Sequence, residues 1–92
     1  MADPEKLAQI FRLLSVDARV RIVQLLARRS YCVTELTSQL GITRPATSQH
    51  LRILRHAGLV KSQKRGFFVY YYLDRKKVAL LRKAASELLK ID

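Results

Sequence analysis

Ninety-two residues make one folding unit with a thin core, since a domain this small buries only about 60–65% of its unfolded surface and no chain is left for a second. Eighteen Lys and Arg against seven Asp and Glu leave a net charge of +11, which draws the chain to a polyanion: nucleic acid or an anionic membrane surface. A single cysteine, Asp3 and Glu5 where a secretory signal would be basic, and no run of about 18 apolar residues exclude a disulfide-stapled secreted scaffold and a membrane span, so the expected location is the cytoplasm.

Asp3 followed by Pro4 opens a first amphipathic helix in which Leu7, Ile10, Phe11 and Leu14 recur at helical spacing. Ser15 or Asp17 caps a second, with Val20, Val23 or Gln24, and Ala27 in one row and Ile22, Leu25 and Leu26 widening it; this helix is expected to end at Arg28-Arg29 and to be largely buried. Thr34 caps a short third helix with Leu36 and Leu40 inward, stopped by Gly41. Thr43-Arg44-Pro45 then starts a fourth, stopped by Gly58. Two helices across a tight glycine turn are a helix-turn-helix candidate.

From Leu59 the period changes to that of strands. Leu59 to Gln63, a Lys64-Arg65-Gly66 tip and the aromatic run Phe67 to Leu73 read as a β-hairpin. Alternation puts Val69, Tyr71 and Leu73 on one face and Phe68, Tyr70 and Tyr72 on the other. Asp74 caps a last helix whose stripe of Val78, Leu81, Ala85 and Leu88, widened by Leu80, Ala84 and Leu89, exceeds what one thin core can hide. Surplus apolar surface there points to a homodimer. No repeat, linker or low-complexity tract divides residues 1–92.

Charge locates the polyanion face. Residues 1–35 hold six basic and four acidic side chains, residues 36–73 six and none, and residues 74–92 six and three. In the fourth helix Thr47, Leu51 and Leu54 share a face, which turns Pro45, Gln49, Arg52 and His56 the other way, flanked by Arg44 and Ser48. A slim polar face of this kind suits the major groove: Arg pairs with guanine, Gln with adenine, and Ser and the helix N-terminus with phosphate. Lys64 and Arg65 add two cations on the hairpin, for phosphates or the adjacent minor groove.

The segments S-V-D-A-R-V-R-I-V-Q-L-L, C-V-T-E-L-T-S-Q-L-G-I-T-R-P-A-T-S-Q-H-L-R-I-L-R-H-A-G-L-V and R-G-F-F-V-Y-Y-Y-L resemble, in order, the ArsR/SmtB winged helix-turn-helix repressors over roughly residues 7–90. The resemblance implies a mainly α fold with a β-hairpin wing, α-α-α-α-β-β-α. It also implies a homodimer built from the first and last helices, here Leu7, Phe11, Leu81, Ala84 and Leu88, and repression at a double-stranded DNA operator released by a chemical signal. By position, Arg44, Pro45, Ser48 and Gln49 match the family's base- and phosphate-contacting residues; Thr43, Arg52, Lys64 and Arg65 complete the expected DNA-binding set. Thr47 stands where the family usually has Val.

The family's metal sites are where the chain departs from it. Thiolates of the arsenic and cadmium or lead sensors align with Cys32, Thr34 and Thr37; the ligands of the zinc-type members align with Asp74, Lys76, Glu87 and Lys90. Lysines cannot complete a zinc shell and would repel the ion, so no metal and no cofactor is expected. Cys32 is either a small, partly buried apolar residue or a redox sensor. His50 and His56 lie on faces too different to share a metal. The tyrosines of the second strand are read as packing rather than as a base-stacking platform. No nucleophile–base arrangement and no phosphate-cradling loop is visible, so an enzyme is not expected. The reading is a cytoplasmic, homodimeric repressor on a pseudo-palindromic operator; its rivals are a winged helix that binds an acidic protein and a nonspecific nucleic-acid-binding module.

Overall fold

In the computed structural model, which describes residues 3–92, the Asp3 carboxylate accepts the Glu5 N–H at 2.9 Å and Pro4 takes the first turn of α1 (Pro4–Leu13). The Ser15 hydroxyl donates back to the Arg12 carbonyl at 2.7 Å, closing that helix instead of capping the next. Helix α2 (Asp17–Leu26) starts from Val16 with no side-chain cap and stops short of Arg28-Arg29. It is also less buried than expected. Ile22 and Leu26 are buried while Val20 stands 38% exposed, because Arg19, Arg21 and Gln24 hold the other faces of a ten-residue helix at the surface.

The chain then makes an element that the sequence does not announce. Tyr31–Cys32 forms a two-residue strand, β1, and Cys32, with extended backbone, becomes the N-cap of α3 (Val33–Leu40) in place of Thr34. Glu35 accepts the Cys32 N–H at 3.0 Å, the reciprocal half of a capping box. Gly41 ends α3 in the left-handed region at φ 67°. Arg21 reaches across from α2 to donate to the Leu40 and Gln39 carbonyls at 3.1 and 3.2 Å, a cation at a helix C-terminus.

Helix α4 (Arg44–His56) starts as the sequence predicts: Thr43 caps it, accepting the Ala46 N–H at 3.3 Å, and Pro45 lies in the first turn. Strands β2 (Val60–Arg65) and β3 (Phe68–Leu73) follow, then α5 (Arg75–Leu88), capped by Asp74 through the Lys76 and Lys77 N–H groups at 3.0 and 3.2 Å. The antiparallel sheet has the order β1-β3-β2, with Tyr31 opposite Tyr71 and Cys32 opposite Tyr70. Arg65 pairs with Phe68, so the turn is Gly66-Phe67, with positive φ only at its first position, the pattern of a type II′ hairpin. Lys64 and Arg65 therefore belong to the strand and not to the tip.

Ile22, Leu26, Tyr31, Leu36, Leu40, Leu51, Leu54, Leu59 and Val60 form the core, with Tyr71 and Leu73 packed on it from the inward face of β3. Among the described residues none of α1 or α5 is buried. The molecule extends 50 × 23 × 20 Å with a radius of gyration of 14.1 Å, longer than the roughly 12 Å of a compact chain of this length.

Candidate nucleic-acid interface

The inward row of α4 is fixed by burial: Thr47, Leu51 and Leu54 are all at most 1% exposed. Thr47 is the one buried polar side chain among the described residues, and its hydroxyl is fully used. It donates to the Thr43 carbonyl at 3.1 Å and accepts from the Thr37 hydroxyl at 2.9 Å, which pins α4 to α3 at their crossing. With that row locked, Arg44, Pro45, Ser48, Gln49, Arg52 and His56 are all exposed, joined by Arg55, which carries no mark in the sequence pattern. The structure brings the expected α4 set onto one open face.

Arg44 is not free on that face. Its Nη1 donates to the Thr34 hydroxyl at 2.9 Å, so the side chain is steered from the first turn of α3 while the second terminal nitrogen stays available. A second tie, invisible in the sequence, holds the helix from behind. Arg19 donates from Nε to His50 Nδ1 at 3.3 Å and from Nη1 to the Leu13 carbonyl at 3.3 Å, linking α1, α2 and α4. Burial, and then the Arg19 charge, hold the His50 imidazole below its ordinary pKa, so it faces Arg19 in the neutral, accepting form.

On the wing, Lys64 and Arg65 are exposed at the outer end of β2. The Arg65 guanidinium lies 5.3 Å from the centre of the Tyr70 ring and donates to Gln63 Oε1 at 3.4 Å. Beyond them the turn presents Phe67 fully to solvent. Among the described residues no acidic side chain lies between positions 36 and 73, so α4 and the wing face a partner with one sign of charge.

The expected dimer residues divide. Leu7, Phe11, Ala84 and Leu88 line one apolar groove of about 420 Å³ between α1 and α5, with Pro4, Ala8 and Glu87. Leu81 does not join them; it packs against the chain's own core. In α5 it shares a face with Val78, three residues earlier, which packs there too. Phe11 and Leu88 are 43% and 50% exposed.

Four of the residues aligned with metal ligands, Cys32, Thr34, Thr37 and Asp74, are buried or engaged elsewhere. Cys32 is buried, Thr34 holds Arg44, and Thr37 holds Thr47. Asp74 is spent on the α5 cap and an ion pair with Lys61 at 3.2 Å; the Lys77 N–H first, then Lys61, keep its carboxyl below the usual pKa. Among the described residues no three His, Cys, Asp or Glu side chains come close enough to share an ion.

A family model described as bacterial regulatory protein, arsR family, matches residues 17–62, which carry α2 through α4 and the start of the wing. The HTH-type transcriptional regulator MJ1325 of Methanocaldococcus jannaschii is 38% identical over 85 residues, covering 91% of this chain and 96% of that one. A transcriptional repressor SmtB homolog of Synechocystis is 36% identical over 89 residues, 96% of this chain and 67% of the relative. Among solved structures, the transcriptional repressor BigR from Xylella fastidiosa superposes with a TM-score of 0.74 at 30% identity, over 96% of this chain and 90% of that one.

Proposed function

From the premise that the chain belongs to the ArsR family of bacterial transcriptional regulators, we propose that it is a cytoplasmic, homodimeric repressor that reads a pseudo-palindromic operator with α4. The observation that carries this reading is the exposed Arg44–Ser48–Gln49–Arg52 face set against a locked Thr47–Leu51–Leu54 row. Arg44, steered by Thr34 through Nη1, offers its Nε–Nη2 edge to guanine O6 and N7, and Gln49, a little over one helical turn on, offers both a donor and an acceptor to adenine. Thr43, Pro45 and Ser48 place the positive end of α4 against phosphate, while Arg52, Lys64 and Arg65 neutralise the backbone to either side. Each phosphate neutralised in this way releases counterions, so affinity falls steeply with salt.

Two copies joined through the α1–α5 groove would set their α4 helices on half-sites about 34–36 Å apart, one turn of the duplex. Release of the operator does not run through a metal at the positions aligned with the family's ligands, since Thr34, Thr37 and Asp74 are committed to hydroxyl bonds, a cap and an ion pair and Lys76 and Lys90 bring cations in place of ligands. Cys32, buried at the β1–α3 junction, keeps a redox role only if it is reached by an oxidant there; Cys32→Ser then abolishes release by oxidant and leaves DNA affinity intact.

Footprinting on the promoter of the protein's own gene tests the reading. A discrete protected site with dyad symmetry is expected, above nonspecific background. Uniform protection along the fragment, or none, would overturn it.

A further inference from the structure

A second groove, of about 520 Å³, opens on another part of the molecule, between the end of α2, strand β3 and the first half of α5. Four arginines stand around it. Arg28 and Arg29 come from the turn after α2, and Arg75 and Arg82 from one face of α5, two turns apart. The volume falls in the range of small-molecule sites, about 300–1,000 Å³.

The charge here is out of balance. Among the described residues the ion pairs are Arg29–Glu35 and Lys61–Asp74, so Arg28, Arg75 and Arg82 take part in none. Arg75 also lies in the first turn of α5, which holds no acidic residue and where a cation opposes the positive end of the helix dipole. Arg29, by contrast, is held in place, stacked 3.7 Å from the centre of the Tyr31 ring and bonded to Glu35 at 3.1 Å. None of Arg44, Ser48, Gln49, Arg52, Lys64 or Arg65 lines this groove. Its cations thus stand apart from the face assigned to DNA.

The lining also chooses among anions. Leu26, Leu73 and Val78 line the same groove as the arginines, and an inorganic ion would leave that apolar lining wet. We infer that the groove binds a small organic carboxylate with a flat apolar body. The body lies on the leucines and valine and the carboxylate is taken by the forked guanidinium of Arg75 or Arg82. The site is independent of the DNA reading and stands whether or not that reading holds.

The test uses 2-naphthoate as probe, followed by its fluorescence anisotropy, with neutral 2-naphthalenemethanol as its uncharged counterpart. Saturable binding of one naphthoate per chain is expected, at least tenfold weaker for the alcohol. It should also be at least tenfold weaker in Arg75→Gln/Arg82→Gln and clearly weakened in Arg82→Gln alone. Both residues are exposed, so circular dichroism should be unchanged, and Arg44→Ala should bind the probe as the parent does. Equal binding of acid and alcohol, or undiminished binding in the arginine variants, would place the probe in an apolar groove and overturn the inference. So would an absence of naphthoate binding in the parent; a lower salt slope for DNA in the double variant would then assign these arginines to phosphates.

Discussion

Thr47 shows how a residue that looks like a mild departure is built into the helix pair. Its hydroxyl both donates and accepts, and Thr37 depends on it. Thr47→Val keeps the shape but strands the Thr37 hydroxyl, so a loss of about 1 kcal/mol is expected in chemical denaturation. Adding Thr37→Val removes the stranded group, and the double variant should be no less stable than Thr47→Val alone; a further loss equal to that of Thr37→Val would contradict the pairing. His50 gives a pH signature. With its folded pKa held below the usual value of about 6.5, the unfolded chain binds the proton first as pH falls. The stabilisation is therefore complete above about 6.5 and is lost as pH drops from there towards the folded value. Thermal midpoints between pH 5 and 7 should rise with pH in the parent and do so less in His50→Gln. An equal slope in both would remove His50 as the cause.

At the scale of elements, α4 is legible in the sequence because its signals are local: Thr43 before it, Pro45 in its first turn, Gly58 after it, and an inward row at spacings of four and three. Strand β1 is not. Two residues carry no periodicity, and the partners of Tyr31 and Cys32 are Tyr71 and Tyr70, about forty positions away. The same hidden strand shifts the start of α3 from Thr34 to Cys32, because the residue that ends the strand is already extended and serves as the cap. The hairpin is legible but its tip is displaced, since Gly66 opens the turn instead of closing it. The expected wing residues are unaffected by that shift, because Lys64 and Arg65 remain exposed at the outer end of β2. A strand fixes their backbone yet leaves long, mobile side chains suited to phosphates, so in the proposed account Lys64→Ala is expected to weaken operator and random duplex by similar factors. It should lower the salt slope by about one unit for each phosphate no longer neutralised. A loss confined to the operator would mean that the wing reads bases.

At the scale of the molecule, the elongated shape and the unburied flanking helices argue for a second copy. The groove of Leu7, Phe11, Ala84 and Leu88 lies between the two helices that hold no buried residue, and covering it would remove the most exposed apolar side chains of α1 and part of α5 from water. Leu88→Glu, on a side chain that is half exposed, should give monomers in sedimentation without unfolding the chain. Leu81→Glu is the poorer probe, because Leu81 packs on the core and its loss would also destabilise the monomer. A Leu88→Glu dimer as tight as the parent would remove this interface. In the proposed account the homodimer would turn one reading helix into two on a dyad, while sequence reading itself would rest on α4. The direct test is the affinity of Arg44→Ala for operator and for random duplex at one salt concentration. Loss of the guanine fork should cost about 1–3 kcal/mol on the operator, with relaxed preference at one base pair in each half-site and a smaller loss on random DNA. Equal losses on both duplexes would mean that α4 grips DNA without reading it, and would contradict the repressor account at its centre.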